Sequence, residues 1–294
     1  MIQNMDIMRK KELNLIYWND QLNFGDQLSI FIVKHMLDGR DVRVVYKSGY
    51  KSYKFWCYYY LKKVFNCHMD VSLYMKPYEK SLLAIGSLLM FSSKMTMVWG
   101  SGFMNESDKY NGGRLFALRG KKTNQKIIQQ GGKGCYTYGD PALLLPMFIK
   151  APAEKKFTLG IVPHWKETDY FKNEYGNRFH VIDLRTDDIK NVVEEVTLCK
   201  TILSSSLHGI IVAHAYGIPA LWIRKGYIDT DGFKFDDYFS SVNIKSYPGF
   251  TNYDEIIGNE VLRNYLFQQD ISLPRVDLGQ LRKNLINAFP YDEI

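Results

Sequence analysis

Short apolar runs alternate with glycine-bearing turns and with longer amphipathic segments along the whole sequence. Buried β-strands are predicted by the apolar runs at residues 14–17, 42–46, 81–85, 95–99, 158–162 and 179–183. Helices are predicted by the spacing of apolar positions at residues 121–130, 189–199 and 277–288. This alternation predicts the α/β class, in which parallel sheets are covered by helices.

The clearest of these units spans residues 201–223. A strand leads into Ser204-Ser205-Ser206, a compact helix follows, and Gly217 and Pro219 end that helix before a second strand. The serine oxygens are suited to cap the helix, because they can accept hydrogen bonds from its unpaired N–H groups. His208 therefore lies in the first helical turn, where those N–H groups and the helix dipole favour a bound anion. We expect ligand chemistry at this turn.

Three strand ends in the first half carry small residues. They are followed by Asn23-Phe24-Gly25-Asp26, by Gly86-Ser87 and by Gly100-Ser101-Gly102. Small residues let a ligand approach the backbone, and parallel strands bring their carboxyl ends to one edge of a sheet. A common crevice is therefore predicted at that edge. Asp26 lies at or near the start of a helix, either as a functional carboxylate or as a plain N-cap.

The rhythm of strands and helices restarts in the second half of the chain. Between the halves, residues 150–156 have the composition of a linker. We therefore expect two α/β domains, at residues 1–150 and 151–275. A last helix, within residues 276–294, is expected to pack back on the first domain.

The composition is that of a globular protein, since 46% of the 294 residues are apolar and 23% are charged. No apolar run approaches the roughly 18–20 residues that a membrane-spanning helix needs. The polar and charged N-terminus does not have the pattern of a secretory signal. The cysteines lack metal-binding spacing and are expected to be reduced thiols of a cytoplasmic protein. They are Cys57, Cys67, Cys135 and Cys199.

Basic residues are in excess: 38 Lys and Arg against 31 Asp and Glu give a net charge of +7. This excess suits an acidic partner, such as a phosphorylated substrate or an anionic membrane, and is equally consistent with a solvated basic surface. Residues 47–65 interleave lysines with aromatic residues. Such a segment fits membrane contact, stacking on single-stranded nucleic acid, or a partly buried helix with a basic outer face, which is favoured. No nucleic-acid partner is expected, because the sequence has no nucleic-acid-binding motif.

Several motifs follow one another in order along residues 14–223. They are Asn23-Phe24-Gly25-Asp26, Trp99-Gly100-Ser101-Gly102-Phe103, Arg119-Gly120, Tyr138-Gly139-Asp140-Pro141-Ala142 and the serine-rich unit at 204–219. Together they resemble the polysaccharide pyruvyltransferase family, especially its bacterial exopolysaccharide and capsule members.

The resemblance implies a fold and an activity. The fold is two Rossmann-like domains in a GT-B-like arrangement, with a cleft between them. The activity is transfer of the enolpyruvyl unit of phosphoenolpyruvate to two hydroxyls of a sugar, forming a ketal and releasing phosphate. A 4,6-ketal on a galactose-type residue is expected, with the acceptor mainly in the first half and the donor mainly in the second.

The same resemblance implies partners and location. The acceptor is a soluble sugar or a lipid-linked oligosaccharide, the latter at the inner face of the cell membrane with peripheral contact to anionic lipid. No cofactor and no metal ion are expected. Two alternatives stay open, a glycosyltransferase with a nucleotide-sugar donor on the same architecture and a non-catalytic protein that binds glycans or nucleic acids.

Individual residues acquire expected roles. His208 is suited to hold phosphate and deliver a proton, since histidine titrates near neutrality. Asp26 is the first candidate for the general base and Asp140 the second, while Arg119 is expected to bind the donor. Further substrate contacts are expected at Asn23, Gly25, Gly100, Ser101, Gly102, His164, Ser206, Leu207 and Gly209.

One position departs from the family pattern. Many members carry a basic residue where this chain has Ser206. The candidates for the replacing cation are Lys200, Arg224 and Lys225. His214 faces another side of its helix than His208 and is expected to be structural.

Overall fold

A computed structural model describes residues 11–18, 21–47, 53–65, 67, 69–72, 74–76, 78–152, 154–226 and 228–294. Several positions named above lie outside the described residues. They are the N-terminal segment 1–10, residues 48–52 of the aromatic and basic segment, and Ala153 of the predicted linker.

The first half folds around a parallel sheet of five strands in the order β2-β1-β3-β4-β5. The strands are β1 Lys11–Ile16, β2 Val42–Lys47, β3 Ser81–Leu83, β4 Thr96–Trp99 and β5 Arg114–Ala117. The helices are α1 Phe24–Met36, α2 Tyr53–Val64 and α3 Lys121–Gln129, joined by short 3₁₀ helices at Leu89–Phe91 and Pro141–Met147. Every residue of β3 and β4 is buried, as expected for central strands covered on both faces.

The second half folds around a parallel sheet of four strands in the order β7-β6-β8-β9. The strands are β6 Phe157–Val162, β7 His180–Val181, β8 Cys199–Ser204 and β9 Ala220–Trp222. The helices are α4 Thr168–Tyr175, α5 Ile189–Thr197, α6 Leu207–Ala215, α7 Phe233–Ser241, α8 Tyr253–Gly258, α9 Glu260–Phe267 and α10 Leu278–Asn287, followed by a 3₁₀ turn at Tyr291–Glu293. The predicted α/β class with parallel sheets is confirmed.

Helix α7 belongs to the second half of the chain but packs on α3 of the first half. Asp237 of α7 is fully buried and accepts hydrogen bonds from the backbone N–H of Thr123 and from its hydroxyl, both at 2.7 Å. It also accepts a bond of 2.9 Å from Nε of Arg119. A carboxylate from one half thus caps the N-terminal turn of a helix in the other. The sequence pattern did not predict α7 as a separate element.

The last helix, α10, contacts both halves. The indole N–H of Trp99 donates to the carbonyl of Leu285 at 2.8 Å. Arg282 donates to the carbonyl of Leu143 at 2.8 Å and to that of Ala215 at 2.6 Å. One continuous hydrophobic core includes residues of both sheets and of α10. The domain bounds at residues 150 and 275, and the GT-B-like arrangement, stay predictions.

The described part of the aromatic and basic segment forms helix α2. Trp56 is 2% exposed and anchors this helix, whereas Tyr58, Leu61 and Phe65 are exposed by 52%, 60% and 77%. The favoured partly buried helix is confirmed for the described residues, but its outer face carries exposed aromatic and apolar side chains as well as lysines and is not simply basic. No helix in the described ranges combines the length and the apolar character that crossing a bilayer requires.

Candidate active site

A cleft of about 290 Å³ lies where the carboxyl ends of strands from both sheets meet. Ligands usually bind at this edge of parallel sheets. The first half contributes Trp18, Asn23, Asp26, Gly86, Ser87, Leu88 and Met104. The second half contributes His164, Trp165, Ser206, Leu207, His208, Ile228, Asp229 and Lys234. The cleft therefore joins the serine-rich turn with two of the three glycine-bearing turns that the sequence singled out, those at Asn23-Phe24-Gly25-Asp26 and Gly86-Ser87.

The N-terminus of α6 opens into this cleft without a side-chain cap. Ser206 occupies the N-cap position with extended backbone angles, φ −101° and ψ 132°, but its hydroxyl makes no capping bond. The hydroxyl of Ser204 instead holds the turn, accepting from the N–H of Ser206 at 3.0 Å and donating to the carbonyl of Val162 at 2.7 Å. A serine therefore occupies the N-cap position as predicted, but its side chain does not make the predicted capping hydrogen bond. The N–H groups of the first turn remain available to an anion.

His208 projects from that first turn against helix α1. A Cβ atom at Gly25 would lie 2.2 Å from Nδ1 of His208, so the ring rests on bare backbone. Its Nε2 is buried and has no hydrogen-bond partner among the described residues. Burial, together with the positive charges of Lys234 and Arg119, lowers the pKa of His208 to about 3. At neutral pH the ring is therefore uncharged. A ligand bound in the cleft can supply the hydrogen-bond partner that Nε2 lacks.

Asp26 reaches the cleft from the first turn of α1. Asn23 is the N-cap residue of this helix, with φ −149° and ψ 125°, so Asp26 is not the cap. The side-chain amide of Asn23 donates to Oδ2 of Asp26 at 2.8 Å and orients the carboxylate. The N–H of Phe24 donates to the carbonyl of Leu184 at 2.8 Å, which ties the start of α1 to the second half.

Lys234 is the cleft residue that sequence reasoning missed. It lies in the first turn of α7 between the buried aromatics Phe233 and Phe235, and is itself only 7% exposed. Burial lowers its pKa to about 8, as does the nearby Arg119, while Asp229 and Asp26 act in the opposite direction. At neutral pH it is an ammonium beside His208. Its only signal in the sequence is a basic residue between two aromatic ones.

The cations considered from the sequence lie elsewhere. Arg224 and Lys225 line a separate, smaller cavity, and the Lys225 ammonium lies 4.2 Å from the centre of the Tyr170 ring. Lys200 is exposed near the start of β8, whereas the cleft is at the carboxyl end of that strand. Among the described residues that line the cleft, the lysine is Lys234, and none of those three is present.

Arg119 is buried behind the cleft, with no exposed surface. Its guanidinium donates to Asp237 at 2.9 Å, to the hydroxyl of Ser87 at 2.6 Å and to the carbonyl of Phe103 at 2.5 Å. The expected direct contact with a donor would require these bonds to open. In this geometry Arg119 positions Ser87, which does line the cleft.

The Gly100-Ser101-Gly102 turn also lies behind the cleft wall. The Ser101 hydroxyl donates to the carbonyl of Gly86 at 2.8 Å. A Cβ atom at Gly100, where φ is +93°, would lie 2.1 Å from Cδ of Pro141, and one at Gly102 would lie 2.6 Å from Nη2 of Arg119. These residues pack behind the Gly86-Ser87 turn and are not part of the cleft lining, and their expected role as ligand contacts stays a prediction.

Gly209 has a similar packing role on α6. A Cβ atom there would lie 2.4 Å from the hydroxyl oxygen of Ser204 and 2.7 Å from Cγ1 of Val162. Glycine therefore lets the first turn of α6 sit directly on the end of β6. Gly209 is not part of the cleft lining, and its expected contact with the substrate stays a prediction.

His164 faces the cleft from the turn after β6. Its N–H donates to the hydroxyl of Ser205 at 2.9 Å, and that hydroxyl donates to Glu167 at 2.6 Å. Burial, together with the positive charges of Lys234 and Lys166, lowers the pKa of His164 to about 3, while Asp229 acts in the opposite direction. A second uncharged imidazole thus lies near Lys234.

Asp140 and His214 have structural partners. Asp140 caps the 3₁₀ helix Pro141–Met147 by accepting from the N–H of Ala142 at 2.9 Å, and burial raises its pKa to about 6. His214 is fully buried between the Tyr238 hydroxyl at 3.0 Å and the Ser272 carbonyl at 3.1 Å. Asp26 is therefore the carboxylate that the cleft presents from the two considered.

Sequence comparison shows which known proteins this chain is similar to. The sequence model of the polysaccharide pyruvyl transferase family matches residues 23–225. That span begins at the N-cap of α1 and includes α6 and His208, whereas Lys234 lies beyond it. An uncharacterized protein of Acanthamoeba polyphaga mimivirus is 27% identical over 266 residues, covering 87% of this chain and 83% of that protein. The family match covers more than half of the chain, and the protein belongs to the polysaccharide pyruvyl transferase family.

Proposed function

We propose that this protein is a ketal-pyruvyltransferase that uses phosphoenolpyruvate as donor and a sugar as acceptor in the synthesis of a surface polysaccharide. The observation that carries the proposal is the orphan Nε2 of His208, beside the uncapped N-terminus of α6 and the ammonium of Lys234. Phosphoenolpyruvate carries a phosphate and a carboxylate, and this arrangement offers N–H donors and a cation for them.

Donor binding also changes the protonation of His208. The ring is uncharged in the free protein because burial and two cations hold its pKa at about 3. A bound phosphate brings negative charge next to Nε2 and raises that pKa. His208 can then carry a proton in the complex and deliver it as a general acid.

The reaction follows from these groups. The proton from His208 adds to the methylene carbon of the donor, and the central carbon becomes oxocarbenium-like. One sugar hydroxyl forms a C–O bond to that carbon and gives its proton to Asp26, which the Asn23 amide orients. A second hydroxyl then forms the other C–O bond and gives its proton to the phosphate, which leaves with the electrons of its own C–O bond. The product is a cyclic ketal, with hydroxyls 4 and 6 of a galactose-type residue as the proposed pair.

The acceptor is proposed to be lipid-linked and to be met at a membrane surface. Helix α2 presents exposed Tyr58, Leu61 and Phe65, and the Lys62 ammonium lies 5.3 Å from the centre of the Tyr58 ring. Aromatic and apolar side chains with lysines suit the interface of an anionic bilayer. Flotation at low salt should recover the protein with anionic vesicles and not with neutral ones; equal recovery from both would contradict this contact.

Phosphate release tests the proposed reaction. We expect release only when phosphoenolpyruvate and a glycoside acceptor are both present, across a panel of galactosides, mannosides and glucosides. Phosphoenolpyruvate should also raise the melting temperature. Stabilisation by a nucleoside diphosphate and not by phosphoenolpyruvate would contradict the proposal and support a nucleotide-sugar glycosyltransferase.

A further inference from the structure

Two tryptophans line the cleft, one from each half of the chain. Trp18 follows β1 and Trp165 follows β6, so each lies just beyond the carboxyl end of a strand. Trp18 is 40% exposed. Neither indole belongs to the buried hydrophobic clusters formed by the described residues. Packing of the core therefore does not explain why large aromatic side chains stand at these two places.

Both indoles have neighbours that restrict their movement. The ring of Phe91 lies 5.6 Å from that of Trp18, at an interplanar angle of 49°. The ring of His164 lies 5.6 Å from that of Trp165, and the Lys166 ammonium is 5.3 Å from its centre. Aromatic side chains held in this way lose little freedom when a ligand binds, which favours affinity.

Polar groups that line the same cleft as the tryptophans complete the pattern of a sugar site. The faces of aromatic rings carry partial negative charge and attract the C–H groups of a pyranose ring. Asn23 and Asp26, in the same cleft, are an amide and a carboxylate suited to hydroxyl groups. The Lys234 ammonium and the Nε2 of His208, which line the same cleft, suit an anion instead. The cleft therefore carries groups for a neutral sugar and groups for an anionic donor.

We propose that Trp18 and Trp165 form the acceptor subsite and hold one pyranose residue by its faces, with the hydroxyls turned toward Asp26. This inference rests on the proposed function for the identity of the other ligand. The volume of about 290 Å³ is at the lower end for small-molecule sites, so the cleft holds the donor and one sugar ring. The remaining units of a longer acceptor extend outward past the tryptophans.

Binding measured without turnover tests the subsite by itself. Saturation-transfer NMR with methyl β-galactoside, in the absence of phosphoenolpyruvate, should show contact with the wild-type protein. The signal should be lost in Trp18→Ala and in Trp165→Ala, retained in part in the Phe variants, and unchanged in Tyr136→Ala, whose side chain is 95% exposed. A wild-type signal in both Ala variants would overturn the proposal, as would displacement of the galactoside by uridine diphosphate.

Kinetics separate the subsite from the donor site. In Trp18→Ala the KM for the glycoside should rise about tenfold, as expected for loss of one aromatic contact. Affinity for phosphoenolpyruvate, measured by calorimetry, should stay within about twofold of the wild-type value, because the donor does not touch the indole. An unchanged glycoside KM in an active variant would overturn the subsite and leave the proposed function intact. Absence of phosphate release from the wild type, with galactoside contact still seen by NMR, would overturn the proposed function alone.

Discussion

His208 of α6 rests on the backbone of Gly25 in α1, so close that a Cβ atom at Gly25 would lie 2.2 Å from the histidine Nδ1. No side chain other than hydrogen fits between them. The contact joins a helix start in the first half to a helix start in the second, and His208 and Asp26 line the same cleft. The two motifs that stand apart in the sequence are thus parts of one site.

Replacing Gly25 by alanine should displace the His208 ring. A misplacement of about 1 Å can lower a catalysed rate about 100-fold, and we expect a loss of that size in kcat for phosphate release. The matched control is Gly258→Ala at the end of α8, where a Cβ atom would meet nothing within 4 Å. Wild-type turnover in Gly25→Ala would show that the ring position does not matter.

Local signals explain what could be predicted from the sequence. The alternation of apolar runs and amphipathic segments predicts the α/β class, because the spacing of apolar positions in a strand and in a helix can each be recognised within a few residues. The helix at His208 is recognisable because serines precede it and Gly217 and Pro219 follow it. Even at this helix, the sequence does not indicate which hydrogen bonds each serine hydroxyl makes. The structure uses Ser204 to hold the turn and leaves the Ser206 hydroxyl without a capping bond.

Long-range packing explains what could not be predicted. The motif of Arg119 predicts a contact with the donor. In the structure its guanidinium is buried and bonds to Asp237, which lies on a helix far away in the sequence. The same docking of α7 brings Lys234 to the cleft. Nothing near Lys234 in the sequence indicates that α7 packs on α3, so no local pattern separates it from the other lysines.

Removing one partner of the buried Arg119 and Asp237 pair should destabilise the protein. Both side chains are 0% exposed, and Asp237→Ala leaves a buried guanidinium without its counter-charge. We expect the free energy of unfolding in urea to fall by about 3–5 kcal/mol. Arg43→Ala is the control, because its pair with Glu12 is exposed by 69% and 55% and should contribute less than about 1 kcal/mol. Equal effects in the two variants would contradict the role given to Asp237.

Donor affinity should depend on pH through Lys234. Its pKa is lowered to about 8, so the ammonium is present below that pH and is lost as the pH rises through it. Calorimetry between pH 7 and 9.5 should therefore show weakening affinity for phosphoenolpyruvate, whose phosphate is already fully ionised in that range. Lys234→Arg should bind with little pH dependence, because a guanidinium stays charged. Lys234→Met should weaken binding about 10- to 100-fold already at pH 7. A flat profile for the wild type would remove Lys234 from the donor site.

Donor binding should be coupled to proton uptake by His208. The free ring is neutral at pH 6.5 because its pKa is held at about 3, and the bound anion raises that value. The apparent binding enthalpy for phosphoenolpyruvate should then differ between two buffers of different ionisation enthalpy. His208→Asn should lose this difference and still bind the donor through Lys234. Identical enthalpies in the two buffers for the wild type would show that His208 takes up no proton.

The most direct measurement compares phosphate release by the wild type and by His208→Asn, with phosphoenolpyruvate and a galactoside acceptor both present. Asparagine keeps a polar side chain of similar reach but cannot act as a general acid. We expect a melting temperature close to that of the wild type and a turnover rate about 1,000-fold lower, in the range that general acid catalysis contributes. Phosphate release at the wild-type rate by His208→Asn would contradict the assignment of His208 as the proton donor.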